Sequence, residues 1–259
     1  MYFEMLWKAF AELPEVTAIA LGGSRAGENF DEKSDYDLYL YCTKLPEEAV
    51  RKEILEKTCS YIEMGNAFWE LEDDCTLKNG VDIDILYRNM DEFQEGLISV
   101  VEQGNAGNGY TTCMWHNIRN SNILYDEEGK LSSLQQRFDV PYPAALKNNI
   151  IERNMKLLHG YLPSYDGQIK KAAKRNDWVA VNHRVAAFME SYFDVIFAMN
   201  EMTHPGEKRE VLLAKQGAQL LPERFEENIE ELFQNLYTNM ERALECLEDM
   251  IAELQSCIE

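Results

Sequence analysis

The chain has 259 residues, 46% hydrophobic and 27% charged, with 25 Lys and Arg against 46 Asp and Glu and a formal net charge of −21. That length supports one large domain or two smaller ones, and the composition is that of a folded chain rather than a disordered one. The negative excess argues against nucleic acid or an anionic membrane surface as partner, since both are held by clustered Lys and Arg. It favours a cationic small molecule.

In chain order, "MYFEMLWKAFAEL" has a helical period and is stopped by Pro14. It carries acids inside its apolar stretch and no basic leader, so it reads as part of the fold and not as a signal peptide. "VTAIALGG" reads as a buried strand ending in two glycines, and "DYDLYLY" alternates as the next strand. "PEEAVRKEILEKTCSYIEMG" reads as one helix, with Pro at its start and Gly at its end. "FWELEDDCTLK" and "VDIDILYR" flank Asn79-Gly80 and read as a hairpin. "MDEFQEGLISVVEQG" is a further helix, and "SNILYDEEGKL" a short strand and turn. This order predicts an α/β (α+β) domain with a small mixed sheet over residues 1–130.

Beyond residue 130 the character changes. "AALKNNIIERNMKLLHGYL", "VAVNHRVAAFMESYFDVIFAMNEM" and "RFEENIEELFQNLYTNMERALECLEDMIAEL" place apolar residues at helical spacing, with Pro and Gly between them. Residues 131–259 are therefore predicted to form an α-helical bundle, with a ligand cleft between the two halves. The six cysteines (Cys42, Cys59, Cys75, Cys113, Cys246, Cys257) form no CxxC pair and have no His at ligand spacing. They read as free thiols of a reducing cytoplasm. No apolar run reaches membrane-span length.

The chemistry-bearing residues concentrate in "LGGSRAGENFDEKSDYDLYLY". Residues two apart in a strand share a face, so Asp35 and Asp37 project together, with Tyr36, Leu38 and Leu40 on the other side. Asp82 and Asp84 do the same in "VDID". Carboxylates gathered this way raise one another's pKa unless a hard divalent cation lies between them. Gly22 and Gly23 allow close approach of a ligand, and the backbone there, with the Ser24 hydroxyl and Arg25, suits phosphate oxygens. The stretch is neither a Walker A loop nor a dinucleotide fingerprint.

This constellation resembles the DNA polymerase β-like nucleotidyltransferase superfamily, in which a Gly-Ser or Gly-Gly-Ser turn precedes Asp-x-Asp and a third acid on a later strand. Here these are Gly22, Gly23 and Ser24, then Asp35 and Asp37, then Asp82, with Asp84 as the alternative. The layout of a small catalytic domain followed by helices, and the phrase "NILYDEEGKLSSL", resemble the bacterial antibiotic nucleotidyltransferases acting on lincosamides and aminoglycosides. The resemblance implies that two Mg²⁺ ions are held by Asp35, Asp37 and Asp82, the last as ligand or general base. It implies ATP or another NTP as substrate, transfer of an NMP, AMP first in line, to a hydroxyl of a cationic acceptor, and release of pyrophosphate. AMP transfer to a protein, as in a toxin–antitoxin pair, and a non-catalytic nucleotide-binding module are the competing readings.

In the helical half Glu190 and Asp194, four apart, could line the acceptor cleft or be ordinary surface carboxylates. "RNMKLLH", Arg153 to His159, loosely resembles the Arg-x(4–6)-His pattern of helical HEPN ribonucleases, a reading that the net charge opposes.

Overall fold

The computed structural model describes residues 1–27, 34–68 and 70–259. The chain divides into two compact units, Met1–Ile98 with Asn117–Val140, and Ser99–His116 with Pro141–Glu259. The expected border at 130/131 thus falls at Val140/Pro141, and residues 99–116 join the helical unit.

The first unit is a six-stranded mixed sheet. Its strands are β1 (Val16–Gly22), β2 (Tyr36–Cys42), β3 (Cys59–Asn66), β4 (Glu72–Leu77), β5 (Asp82–Asn89) and β6 (Asn122–Asp126). They lie in the order β3-β4-β5-β2-β1-β6. Among the paired strands of the described residues, β2–β5 is parallel and the other pairs are antiparallel. Its helices are α1 (Tyr2–Ala11), the single turn α2 (Gly23–Ala26), α3 (Glu48–Thr58), α4 (Met90–Leu97) and α6 (Lys130–Arg137), while α5 (Cys113–Asn120) crosses the border at His116/Asn117. Alternation decides the faces. Leu38, Leu40, Ile83 and Ile85 are fully buried on one face, together with Leu6 and Phe10 of α1 and Leu55 of α3. Burial of each large side chain of this kind contributes roughly 1.5–3 kcal/mol. Tyr36 opens that face, its ring stacked on Phe3 at 4.1 Å.

Two elements differ from the sequence reading. The helix expected through Gly65 ends at Thr58, and Cys59–Asn66 pairs with β4 as an edge strand. Tyr61 and Ile62 suit a strand while the upstream residues supply a helical period, and pairing with β4 decides between the two. Trp69, inside the expected strand "FWELEDDCTLK", lies outside the described residues. The hairpin is as expected: Leu77 N–H donates to Val81 O across a turn with Gly80 at φ +83°.

The second unit packs α7 (Ala144–Leu158), α8 (Tyr165–Ala173), α9 (Trp178–Met199), α10 (Glu210–Gly217), α11 (Phe225–Asn235) and α12 (Met240–Ile258) around one core. Phe188, Tyr192, Val195 and Ile196 of α9 are fully buried in it. The last acidic segment is two helices, not one. It breaks at Leu236–Asn239, where the Asn239 side chain accepts from Arg242 N at 3.3 Å and caps α12. Among the described residues no helix is long and apolar enough to cross a membrane.

Candidate active site

The sheet register brings four strand positions into one row. Gly22 of β1 pairs with Asp37 of β2, Asp37 with Asp84 of β5, and Asp84 with Asp74 of β4. All lie on the face opposite the α1/α3 core, and neighbouring strands sit ~4.8 Å apart. Asp37 and Asp84 are therefore side by side on parallel strands. Asp82 pairs instead with Thr76; it is exposed, and its Oδ1 accepts from Thr76 Oγ1 at 2.8 Å. Asp35 immediately precedes β2 and is half-buried. Continuing the register by one step sets it beside Asp82.

The row extends further into acid than the Asp-x-Asp pairs alone, with Asp74 and Glu72 of β4. Glu72 lies two residues before Asp74 on the same face of β4. Its carboxyl pKa is raised, first by burial and then by the charges of Asp74, Asp84, Glu70 and Asp37. The signal was present in the hairpin. A turn that pairs residue 77 with 81 sets 76 against 82 and 74 against 84, so Asp74 can be placed from the turn alone.

The glycines are explained by what lies against them. Gly23 has φ +59°, and a Cβ there would fall 1.7 Å from Asp37 Oδ2. A Cβ on Gly22 would fall 2.1 Å from Tyr39 Cε2. Both side chains come from the β2 face that carries Asp37, so any larger residue at 22 or 23 would displace them. The Arg88 guanidinium lies 4.0 Å over the Tyr39 ring. Arg88 is buried and bidentate to Glu70 at 2.9 and 2.7 Å, and it donates to Asn117 Oδ1 at 2.7 Å. Burial pushes the Tyr39 hydroxyl up to about 12, against the opposing charge of Arg88.

Arg25 braces the approach to β2. Its Nε donates to Ser34 O at 2.7 Å and Asp35 O at 3.1 Å, and its guanidinium lies 4.1 Å over the Tyr36 ring. This ties it to the backbone that presents Asp35. Ser24, half-buried, lies in the single turn between β1 and that brace. Asn122 of β6 secures the end of the turn by donating to Ala26 O at 3.0 Å.

Among the described residues no group of three or more His, Cys, Asp or Glu is set to hold a metal ion unaided. The Asp37–Asp84 pair supplies hard oxygen donors of the kind Mg²⁺ takes. That ion is usually held by one or two carboxylates, with phosphate oxygens and water completing the shell.

In the helical unit, the two carboxylates singled out on α9 part company. Asp194 is buried and engaged. It accepts from Thr111 N at 3.1 Å, Thr111 Oγ1 at 2.6 Å and Asn154 Nδ2 at 3.1 Å. Burial pushes its pKa up to about 6, against those hydrogen bonds. Its placement suits a structural tie between α7, α9 and the 107–111 loop, and not an open ligand surface. Glu190, one turn earlier, is half-buried and lines a cavity. The Arg153–His159 pattern is not assembled: Arg153 Nε donates to Asn108 Oδ1 at 2.7 Å, while His159 Nδ1 meets Asp166 Oδ2 at 2.9 Å.

A family model described as a domain of unknown function (DUF4037) matches residues 112–209, less than half of the chain. No curated protein matches. Among solved structures, the chain is similar to a nucleotidyltransferase-like protein from Exiguobacterium sibiricum 255-15. That likeness has a TM-score of 0.45 at 10% identity and covers 99% of this chain and 73% of that one. It is also similar to an aminoglycoside 6-adenyltransferase from Bacillus subtilis, with a TM-score of 0.31 at 10% identity, covering 100% and 91%. At these scores the likeness carries no functional weight.

Proposed function

We propose that the chain transfers a nucleoside monophosphate from a nucleoside triphosphate to a hydroxyl group, releasing pyrophosphate. The observation that carries this reading is the fit of Gly23 against Asp37, with Asp84 level beside it. A glycine turn and a carboxylate pair are thereby built as one unit, as a phosphate chain and its cation require. Asp37 and Asp84 are the pair nearest the turn and are assigned to the cation, with Asp35 beside them. Asp82 lies farther out and is held by Thr76, so Asp84 takes precedence over it as the third acid.

Bound Mg²⁺ would neutralise the triphosphate and lower the pKa of the attacking hydroxyl. The chain's own part is positional. The Gly22–Gly23 backbone and the Ser24 hydroxyl receive phosphate oxygens. Arg25 holds residues 34–35, and so Asp35, in place. Tyr39 and Arg88 keep the β2 face rigid beneath the turn. The acceptor oxygen forms a bond to the α-phosphorus, the α–β bridging bond breaks, and the hydroxyl proton passes to a neighbouring carboxylate such as Asp35 or Asp82. The charge of −21 favours a small cationic hydroxyl compound, ATP being the donor tested first.

The test is Mg²⁺-dependent release of pyrophosphate from ATP with pooled aminoglycosides and lincosamides, in wild type and Asp37→Asn. Release confined to the wild type supports transfer. Equal release from Asp37→Asn would remove the site from the reaction.

A further inference from the structure

The second unit holds a cavity of about 410 Å³ whose lining includes Glu190, Glu207 and Glu210 and no Lys, Arg or His. Val185 and Met189 of α9 supply apolar surface, and Tyr110, Phe233 and Tyr237 supply aromatic surface. Three carboxylates around one apolar pocket repel one another. Burial and then the charges of Glu207 and Glu190 push Glu210 up to about 8, and burial followed by Glu207 raises Glu190.

A further buried group addresses this cluster. His204 is fully buried. Gly206 N–H donates to its Nδ1 at 3.1 Å, which assigns the ring proton to Nε2. Nε2 has no hydrogen-bond partner and lies 3.4 Å from Glu210 Oε1, an oxygen that likewise has none. Burial pulls the ring's pKa down to about 3, so it stays neutral and offers a dipole rather than a countercharge. A buried donor and a buried acceptor thus stand unsatisfied beside the cluster, and no cationic side chain among the described residues pairs with Glu190 or Glu207.

The loop beside it is strained toward the same point. Gly109 has φ +106°, and a Cβ there would fall 2.8 Å from Glu190 Cβ, so only glycine lets the loop settle on α9. Next to it Tyr110, a non-glycine residue at φ +52°, sets its ring 4.8 Å from His204 and against the cavity. Asp194 fastens this loop through Thr111. Strain of this kind persists where surrounding structure enforces it, and it gathers at ligand sites.

We propose that this cavity binds an organic ammonium ion with an apolar body. Glu190 and Glu207 take the charged head, and Tyr110, Phe233 and Tyr237 cover the apolar part and face the cation with their π-systems. Its volume is that of a small-molecule site. The proposal concerns binding, and stands whether or not the aspartates of the first unit catalyse transfer.

The test is calorimetric titration of the full chain with 4-phenylbutylammonium and with its neutral counterpart 4-phenylbutan-1-ol, without nucleotide. The ammonium ion should bind saturably and the alcohol should not. Glu207→Gln, at an exposed position, and Glu190→Gln should each weaken the ammonium ion about tenfold, with thermal stability unchanged or higher. Asp37→Asn should bind it as wild type does. No saturable binding of the ammonium ion, equal binding of the alcohol, or unweakened binding by both glutamine variants would each overturn the proposal.

Discussion

Asp37 Oδ2 occupies the place where a side chain on residue 23 would begin, 1.7 Å from an ideal Cβ. The glycine turn and the Asp37 carboxylate pack against each other, so a side chain at 23 cannot be added without moving Asp37. Gly23→Ala should therefore strain the φ +59° backbone, at a cost of roughly 1–2 kcal/mol, and push the Asp37 carboxylate aside. Nucleotide binding by calorimetry should be lost while circular dichroism keeps the wild-type shape. Unchanged nucleotide affinity in Gly23→Ala would separate turn and carboxylate functionally.

Register distinguishes Asp84 from Asp82. Asp84 stands level with Asp37, whereas Asp82 is exposed and bonded to Thr76. Asp84→Asn should reduce turnover by ~10²-fold or more, the scale of losing a transition-state contact, and Asp82→Asn should cost less. Measured turnover against Mg²⁺ concentration for the two variants decides, and the reverse ranking would return the third-acid role to Asp82.

On the opposite face of the sheet, Asp73 is a structural acid. It is fully buried, paired with Arg51 Nη1 at 2.7 Å and hydrogen-bonded by Tyr87 Oη at 2.8 Å. Arg51→Ala leaves that carboxylate uncompensated and should cost about 3–5 kcal/mol. Urea unfolding of the variant should show the lower midpoint. A loss under ~1 kcal/mol would mean that the site readily admits water or a proton.

The outcome for Asp73 shows what the sequence could and could not settle. "LEDDCTL" shows two adjacent aspartates, and alternation alone puts them on opposite faces. The Asn79-Gly80 turn then fixes Asp74 against Asp84 by counting, so this part of the site was legible. Which of Asp82 and Asp84 stands level with Asp37 was not. The two share a face, and only the long-range β2–β5 pairing says which one meets Asp37. Local residues at 59–66 fit either helix or strand, and the partner strand decided. Asp194 and Glu190, four apart on α9, looked equivalent; a loop arriving from residues 107–111 buries one and leaves the other on a cavity. No local pattern announces such a loop.

Stability of the helical unit should respond to pH through Glu210, which faces Glu207, Glu190, His204 and Tyr110. Its pKa is raised from 4.5 to about 8. The folded state therefore binds the proton more tightly, and stability falls as pH rises from 4.5 through 8. His204, lowered from 6.5 to about 3, acts in the opposite sense and is complete by pH 6.5. Asp194, raised to about 6, is complete near that value. Between pH 6.5 and 8, wild type should lose roughly 1–1.5 kcal/mol relative to Glu210→Gln. Denaturant titrations at both pH values measure the difference, and parallel curves would refute the burial of an uncompensated Glu210.

In the proposed reaction Asp37 and Asp84 together hold a cation–triphosphate complex against the Gly22–Gly23 turn. Calorimetric titration with an ATP analogue non-hydrolysable at the α–β bridge tests it without any acceptor. Binding should appear with Mg²⁺, vanish with EDTA, and vanish in the Asp37→Asn/Asp84→Asn double variant that retains its fold. Equal affinity in the presence of EDTA, or in the double variant, would contradict it.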